Sequence, residues 1–144
     1  MKRLAILAAL AGTAVPMIAI APQALAADMA TYHAALSGAQ EVDEGDPDAS
    51  AMAEVTVSGG KLCYSVTALT DLADATAAHI HKGARGENGP PVLPLVKSED
   101  GGFKGCVDAP EWVADAMKDG FSGYYINVHN SEYPAGAIRG QLGQ

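Results

Sequence analysis

An all-β domain, built as an antiparallel sandwich or Greek-key barrel with one short helix, is the fold class this 144-residue chain predicts. Three observations point there. Strand-like runs recur at short intervals, the 16 glycines and 8 prolines are spread between them, and a single stretch carries helix-boundary signals.

The elements follow in chain order. Residues 31–36 form the first strand, and residues 51–58 alternate Ala51, Ala53, Val55 and Val57 against Met52, Glu54, Thr56 and Ser58. Ser58-Gly59-Gly60 is a hairpin signal. Residues 61–69 follow, with Leu62, Tyr64, Val66 and Ala68 on one face. Further strands are read at 75–82, 92–97, 103–107, 123–129 and 137–142. Between the last four falls the helix. Asp108 with Glu111 three residues on makes a capping box, Pro110 suits the first turn, Gly120 can end it, and Trp112, Val113 and Ala116 supply its buried side. With no internal repeat and no linker, residues 27–144 read as one domain.

Residues 1–26 read as an address. Lys2 and Arg3 precede an apolar run over residues 4–21, and Ala24-Leu25-Ala26 supplies small residues before a cut after Ala26. Pro16, Pro22 and that small-residue site weigh against a retained membrane span, and no cysteine follows the apolar run to take a lipid anchor. Removing this leader takes the formal charge from −8 to −10. The expected product is an acidic periplasmic or secreted protein, without a membrane anchor. Its charge excludes nucleic-acid partners, which require a basic face. In an oxidising compartment Cys63 and Cys106 form one structural disulfide; their spacing is not that of a C-x-x-C redox or metal pair. Asp43-Glu44-Gly45-Asp46-Pro47-Asp48 reads as a solvated acidic loop, because its spacing fits no EF-hand and Pro47 intrudes.

The histidines carry the chemistry. Residues i and i+2 of a strand point to one side, so His79 and His81 project together while Ala78 and Ile80 face the core. In 124–129, Tyr124, Ile126 and Val128 take the core face, which leaves Tyr125, Asn127 and His129 outward. If the two strands are neighbours, His79, His81 and His129 converge as neutral nitrogen ligands for a copper-type ion or zinc. His33 is a candidate fourth ligand, since alternation sets it opposite Tyr32, Ala34 and Leu36. Asn127 is placed to orient an imidazole. Arg139 is expected in a fork-shaped salt bridge with Glu41. Gly83, Gly86 and Gly89 are expected to supply positive φ in the loop after the first two histidines; the absence of G-K-[ST] argues against a phosphate cradle. No Ser-His-Asp or Cys-His arrangement is legible. The bland alternative is that these histidines are hydrogen-bonded surface residues.

Three segments resemble a known family: Leu36-Ser37-Gly38-Ala39-Gln40-Glu41-Val42; Ala78-His79-Ile80-His81-Lys82-Gly83 with Gly86-Glu87-Asn88-Gly89-Pro90-Pro91-Val92; and Tyr125-Ile126-Asn127-Val128-His129 with Tyr133-Pro134-Ala135-Gly136-Ala137-Ile138-Arg139-Gly140-Gln141-Leu142. Together they look like the CHRD domain, first recognised in chordin and common in exported bacterial proteins. The resemblance spans nearly all of residues 27–144. It implies an immunoglobulin-like sandwich or barrel and no particular activity. A weaker similarity to Cu/Zn superoxide dismutase would make His79, His81 and His129 copper ligands and Arg139 an anion-guiding cation. Against it, no histidine lies between Lys82 and Val128 to bridge to zinc, and the acidic charge does not favour superoxide. The leading expectation is therefore an exported, non-catalytic metal-binding domain. Its rivals are a metal-free structural module that binds an extracellular or periplasmic protein, and a dismutase-like copper enzyme.

Overall fold

The computed structural model describes residues 29–143, and the predicted leader lies outside them. Among the described residues are eight strands: β1 (Ala30–Ser37), β2 (Ser50–Ser58), β3 (Lys61–Thr70), β4 (Ala75–Lys82), β5 (Pro91–Leu95), β6 (Phe103–Asp108), β7 (Tyr124–Asn130) and β8 (Ile138–Gln141). A short 3-10 turn, Gly38–Gln40, follows β1, and one helix, α1 (Trp112–Lys118), lies between β6 and β7. The strands form one sheet in the order β5-β4-β7-β8-β1-β2-β3-β6. All pairings are antiparallel. The ends of the sheet approach each other through a bridge between Lys97 and Phe103, with the Lys104 amide donating to the Val96 carbonyl at 3.0 Å. Of the predicted architectures, the molecule is therefore a nearly closed barrel.

Alternation explains the closure. Every second residue of each strand turns inward, and Val55, Leu62, Val66, Ile80, Ile126, Val128 and Ile138 are fully buried in one core. The Phe121 ring lies 4.4 Å from that of Tyr32, and Trp112 stacks on Tyr124 at 4.9 Å, so the helix and the turn after it seal one end. Val113 and Ala116 are buried as expected.

Two local expectations fail. Asp108 ends β6 and pairs with Lys61 Nζ at 2.6 Å, while Glu111 occupies the cap position in helical conformation without a side-chain cap bond. The capping box is absent because sheet pairing, Lys61 opposite Asp108, takes the residue first. Ala68 leaves the inward face of β3: its φ is 51° and it is exposed, where the register with β2 shifts.

Cys63 and Cys106 lie directly opposite in the β3–β6 pair and are joined by a disulfide, on the side away from Leu62 and Tyr64. The crosslink ties the outermost strand to the sheet. With the cysteines 43 positions apart, the chain-entropy account gives roughly 4 kcal/mol. Accordingly, mass spectrometry of the unreduced protein should find no free thiol. In urea titration the Cys63→Ala/Cys106→Ala variant should lose stability on that scale; an unchanged midpoint would deny the crosslink its role.

Candidate metal centre

Strands β4 and β7 are neighbours, paired so that His79 lies opposite Asn127, His81 opposite Tyr125, and Ala77 opposite His129. Core-facing Ala78 and Ile80 on one strand and Ile126 and Val128 on the other fix which side is inward. His79, His81 and His129 consequently share the outer face. One ligand nitrogen from each lies within 4.8 Å of the other two. The rings of His79 and His129 are 5.1 Å apart, and those of His79 and His81 are 5.6 Å apart.

Backbone carbonyls set the tautomers. His81 Nδ1 is 2.8 Å from the Gly89 carbonyl and His129 Nδ1 is 3.1 Å from that of Pro134. A carbonyl can only accept, so both nitrogens donate, and each neutral ring keeps its lone pair on Nε2. His129 Nε2 faces His79 Nδ1 at 3.2 Å. Two ligands on a tetrahedral ion with bonds of about 2.0–2.1 Å stand about 3.3 Å apart, so this pair already has the spacing one ion requires. His81 Nε2 is buried without a hydrogen-bond partner. Desolvation, opposed by the bond to Gly89, holds the His81 pKa below its ordinary value. For His129 desolvation again leads, with the neighbouring His79 adding to it, and its pKa is also lowered. Both shifts favour the neutral rings, with the proton on Nδ1 and Nε2 free, the form a metal needs.

The outer face here is covered rather than open to solvent. Tyr125 and Asn127 are buried, roofed by the 83–90 loop and the segment after Gly38. The His81 ring stacks on Tyr125 at 4.8 Å, and the Arg139 guanidinium lies 3.4 Å from the centre of the same ring. Arg139 Nη2 donates to the carbonyls of Ala84 at 2.9 Å and Glu87 at 2.7 Å. The loop so held carries Gly89, whose carbonyl orients His81. Gly86 has φ of 80° as expected, but Gly83 and Gly89 do not have positive φ; Gly89 is required for space, since a Cβ there would lie 1.7 Å from the Lys82 carbonyl oxygen.

Several expected roles are reassigned. Arg139 makes no ion pair with Glu41 among the described residues, because its fork is taken by the loop carbonyls. Asn127 makes no hydrogen bond to an imidazole among the described residues; its Nδ2 donates to Glu41 Oε1 at 2.6 Å. His33 stands on β1, its Nδ1 3.9 Å from Glu54 Oε2, and is not among the three grouped imidazoles. Sequence reading missed the Gly89 and Pro134 carbonyls, since backbone acceptors leave no residue-type signal. Tyr125 could have been found, as the outward neighbour of His81 across the strand pair.

A nearly closed antiparallel barrel with three imidazoles gathered on its outer face is thus the class of protein in hand. A family model, the CHRD domain, matches residues 32–142, and the chain belongs to that family. No curated protein and no solved structure matches the chain significantly.

Glu41 yields a pH test. Desolvation raises its pKa from 4.5 to about 7, against the opposing bond from Asn127 and the charge of Arg139. A raised folded value means the folded state holds the proton more tightly. That stability is full below about pH 4.5 and is lost as pH rises through about 7. Urea midpoints should fall between pH 5 and 8 for the parent protein and fall less for Glu41→Gln; parallel profiles would contradict the assignment.

Proposed function

We propose that this protein is an exported, non-catalytic CHRD domain that holds a copper-type ion through His79 Nδ1, His81 Nε2 and His129 Nε2. The observation that carries this reading is the buried, unpartnered Nε2 of His81 beside a pair of nitrogens already spaced for one ion. An unsatisfied buried acceptor costs about 1–3 kcal/mol, and a cation removes that cost. Three imidazoles suit copper and zinc alike. Cu²⁺ binds such donors more tightly, whereas structural zinc sites usually close with a fourth protein ligand. No fourth His, Cys, Asp or Glu joins the cluster among the described residues. Export is supported by the leader pattern of residues 1–26 and by the disulfide, which fits an extracytoplasmic location.

In the metal-free protein the His79 Nδ1–H can donate to His129 Nε2. Binding then requires His79 to move its proton to Nε2, while His81 and His129 need only present the lone pairs they have. Titration of the protein with Cu²⁺, Cu⁺ and Zn²⁺ tests this. The expectation is one equivalent bound, with at least a hundredfold loss of affinity in the His79→Ala/His81→Ala variant and no loss in His33→Ala. Undiminished binding by the double variant would remove the site. An absence of metal affinity, with a protein partner recovered instead, would favour the interaction module. Superoxide consumption by the copper-loaded protein above that of free copper would favour the enzyme.

A further inference from the structure

We propose a second cation site on this domain, separate from the imidazole cluster, in which Glu41, Asp43 and Asn127 hold a hard divalent ion of calcium type. These three side chains line one cavity of about 190 Å³, walled also by His81, Tyr125 and Gly136. Glu41 and Asp43 come from the segment after β1, and Asn127 projects from the middle of β7. The site thus takes only Asp43 from the acidic run of residues 43–48, whose own spacing fits no calcium loop.

Asn127 points to a ligand independently of the acids. It is 3 % exposed, its Nδ2 is committed to Glu41 Oε1 at 2.6 Å, and its Oδ1 is buried with no hydrogen-bond partner. A buried amide oxygen left in this state costs free energy that a cation would recover. The backbone at Gly136 passes directly over the pair: a Cβ there would fall 2.7 Å from Glu41 Oε1 and 2.9 Å from Asn127 Oδ1. The Gly136 backbone thus approaches both oxygens too closely to leave room for a side chain. Asp43 is positioned as well, its Oδ2 accepting from Asn88 Nδ2 at 3.1 Å.

The donor chemistry selects the ion. Two carboxylates and an amide oxygen are hard donors suited to calcium, which completes six to eight ligands with carbonyls and water. Arg139, whose charge is felt at Glu41, is itself bound elsewhere: Nη2 donates to the carbonyls of Ala84 and Glu87, Nη1 to Asn88 Oδ1 at 3.4 Å, and its face lies on Tyr125.

Calorimetry and thermal unfolding with calcium chloride alone, against magnesium chloride and potassium chloride of equal ionic strength, test the proposal at pH 8. The comparison includes the parent, Glu41→Gln/Asp43→Asn and His79→Ala/His129→Ala. Calcium should saturate the parent in the range of roughly 0.1–1 mM, typical of extracellular modules. It should bind the His79→Ala/His129→Ala variant equally and the Glu41→Gln/Asp43→Asn variant at least tenfold more weakly. Each variant's fold is checked by its urea transition. No calcium-specific response in the parent, or an undiminished one in the carboxylate variant, overturns the site. Loss of calcium binding on removing His79 and His129 would place the ion in the imidazole cluster and overturn it too. Failure of copper or zinc to bind leaves this site standing, because the two donor sets share no residue.

Discussion

The antiparallel pairing of β4 with β7 is the constraint on which the candidate site depends. His79 and His129 are 50 positions apart in the chain, and only this ladder puts them side by side. The period of two does the rest. Ile80, Ile126 and Val128 must enter the core, so the alternate residues must leave it. A slip of one residue would bury the imidazoles and expose the isoleucines, at a cost in apolar burial of about 1.5–3 kcal/mol for each large side chain. The hydrophobic core thus enforces the placement of the histidines without contacting their nitrogens.

Pairing brings the rings together, but buried polar contacts aim them. Arg139 is almost wholly buried, and its charge is compensated by two loop carbonyls and the face of Tyr125. That arrangement holds the 83–90 loop against the barrel, and the loop returns a carbonyl to His81. The segment around Pro134 does the same for His129. Each ring is fixed in one tautomer by main chain, which spares the site the entropy of ordering free side chains.

The fold was legible because its strands alternate cleanly. Val55, Val57, Leu62, Tyr64 and Val66 turn inward as their spacing indicates, and the outward parity of His79, His81 and His129 follows from the same rule. The pairing of Cys63 with Cys106 was legible from their count alone. Alternation could not reveal which strands are neighbours, so convergence of the histidines stayed conditional until β4 and β7 were seen together. Loop partners were harder still. Arg139 could have met Glu41, but a guanidinium fork matches two carbonyls as well as one carboxylate, and backbone acceptors carry no sequence signature. Asp108 shows the opposite failure: a motif of the right spacing was overridden by the strand that Lys61 pairs. His33 obeys the parity rule yet sits across two intervening strand pairings from β7, where parity alone says nothing of distance.

The most direct test of the central claim is imidazole nitrogen NMR of the ¹⁵N-histidine-labelled protein, before and after one equivalent of zinc. The structure predicts protonated Nδ1 and unprotonated Nε2 for His81 and His129 in the metal-free state. Zinc should then shift Nε2 of those two rings and Nδ1 of His79, and leave His33 unmoved. If His81 or His129 carries its proton on Nε2, or if zinc perturbs a different set of rings, the three side chains do not form the metal site described.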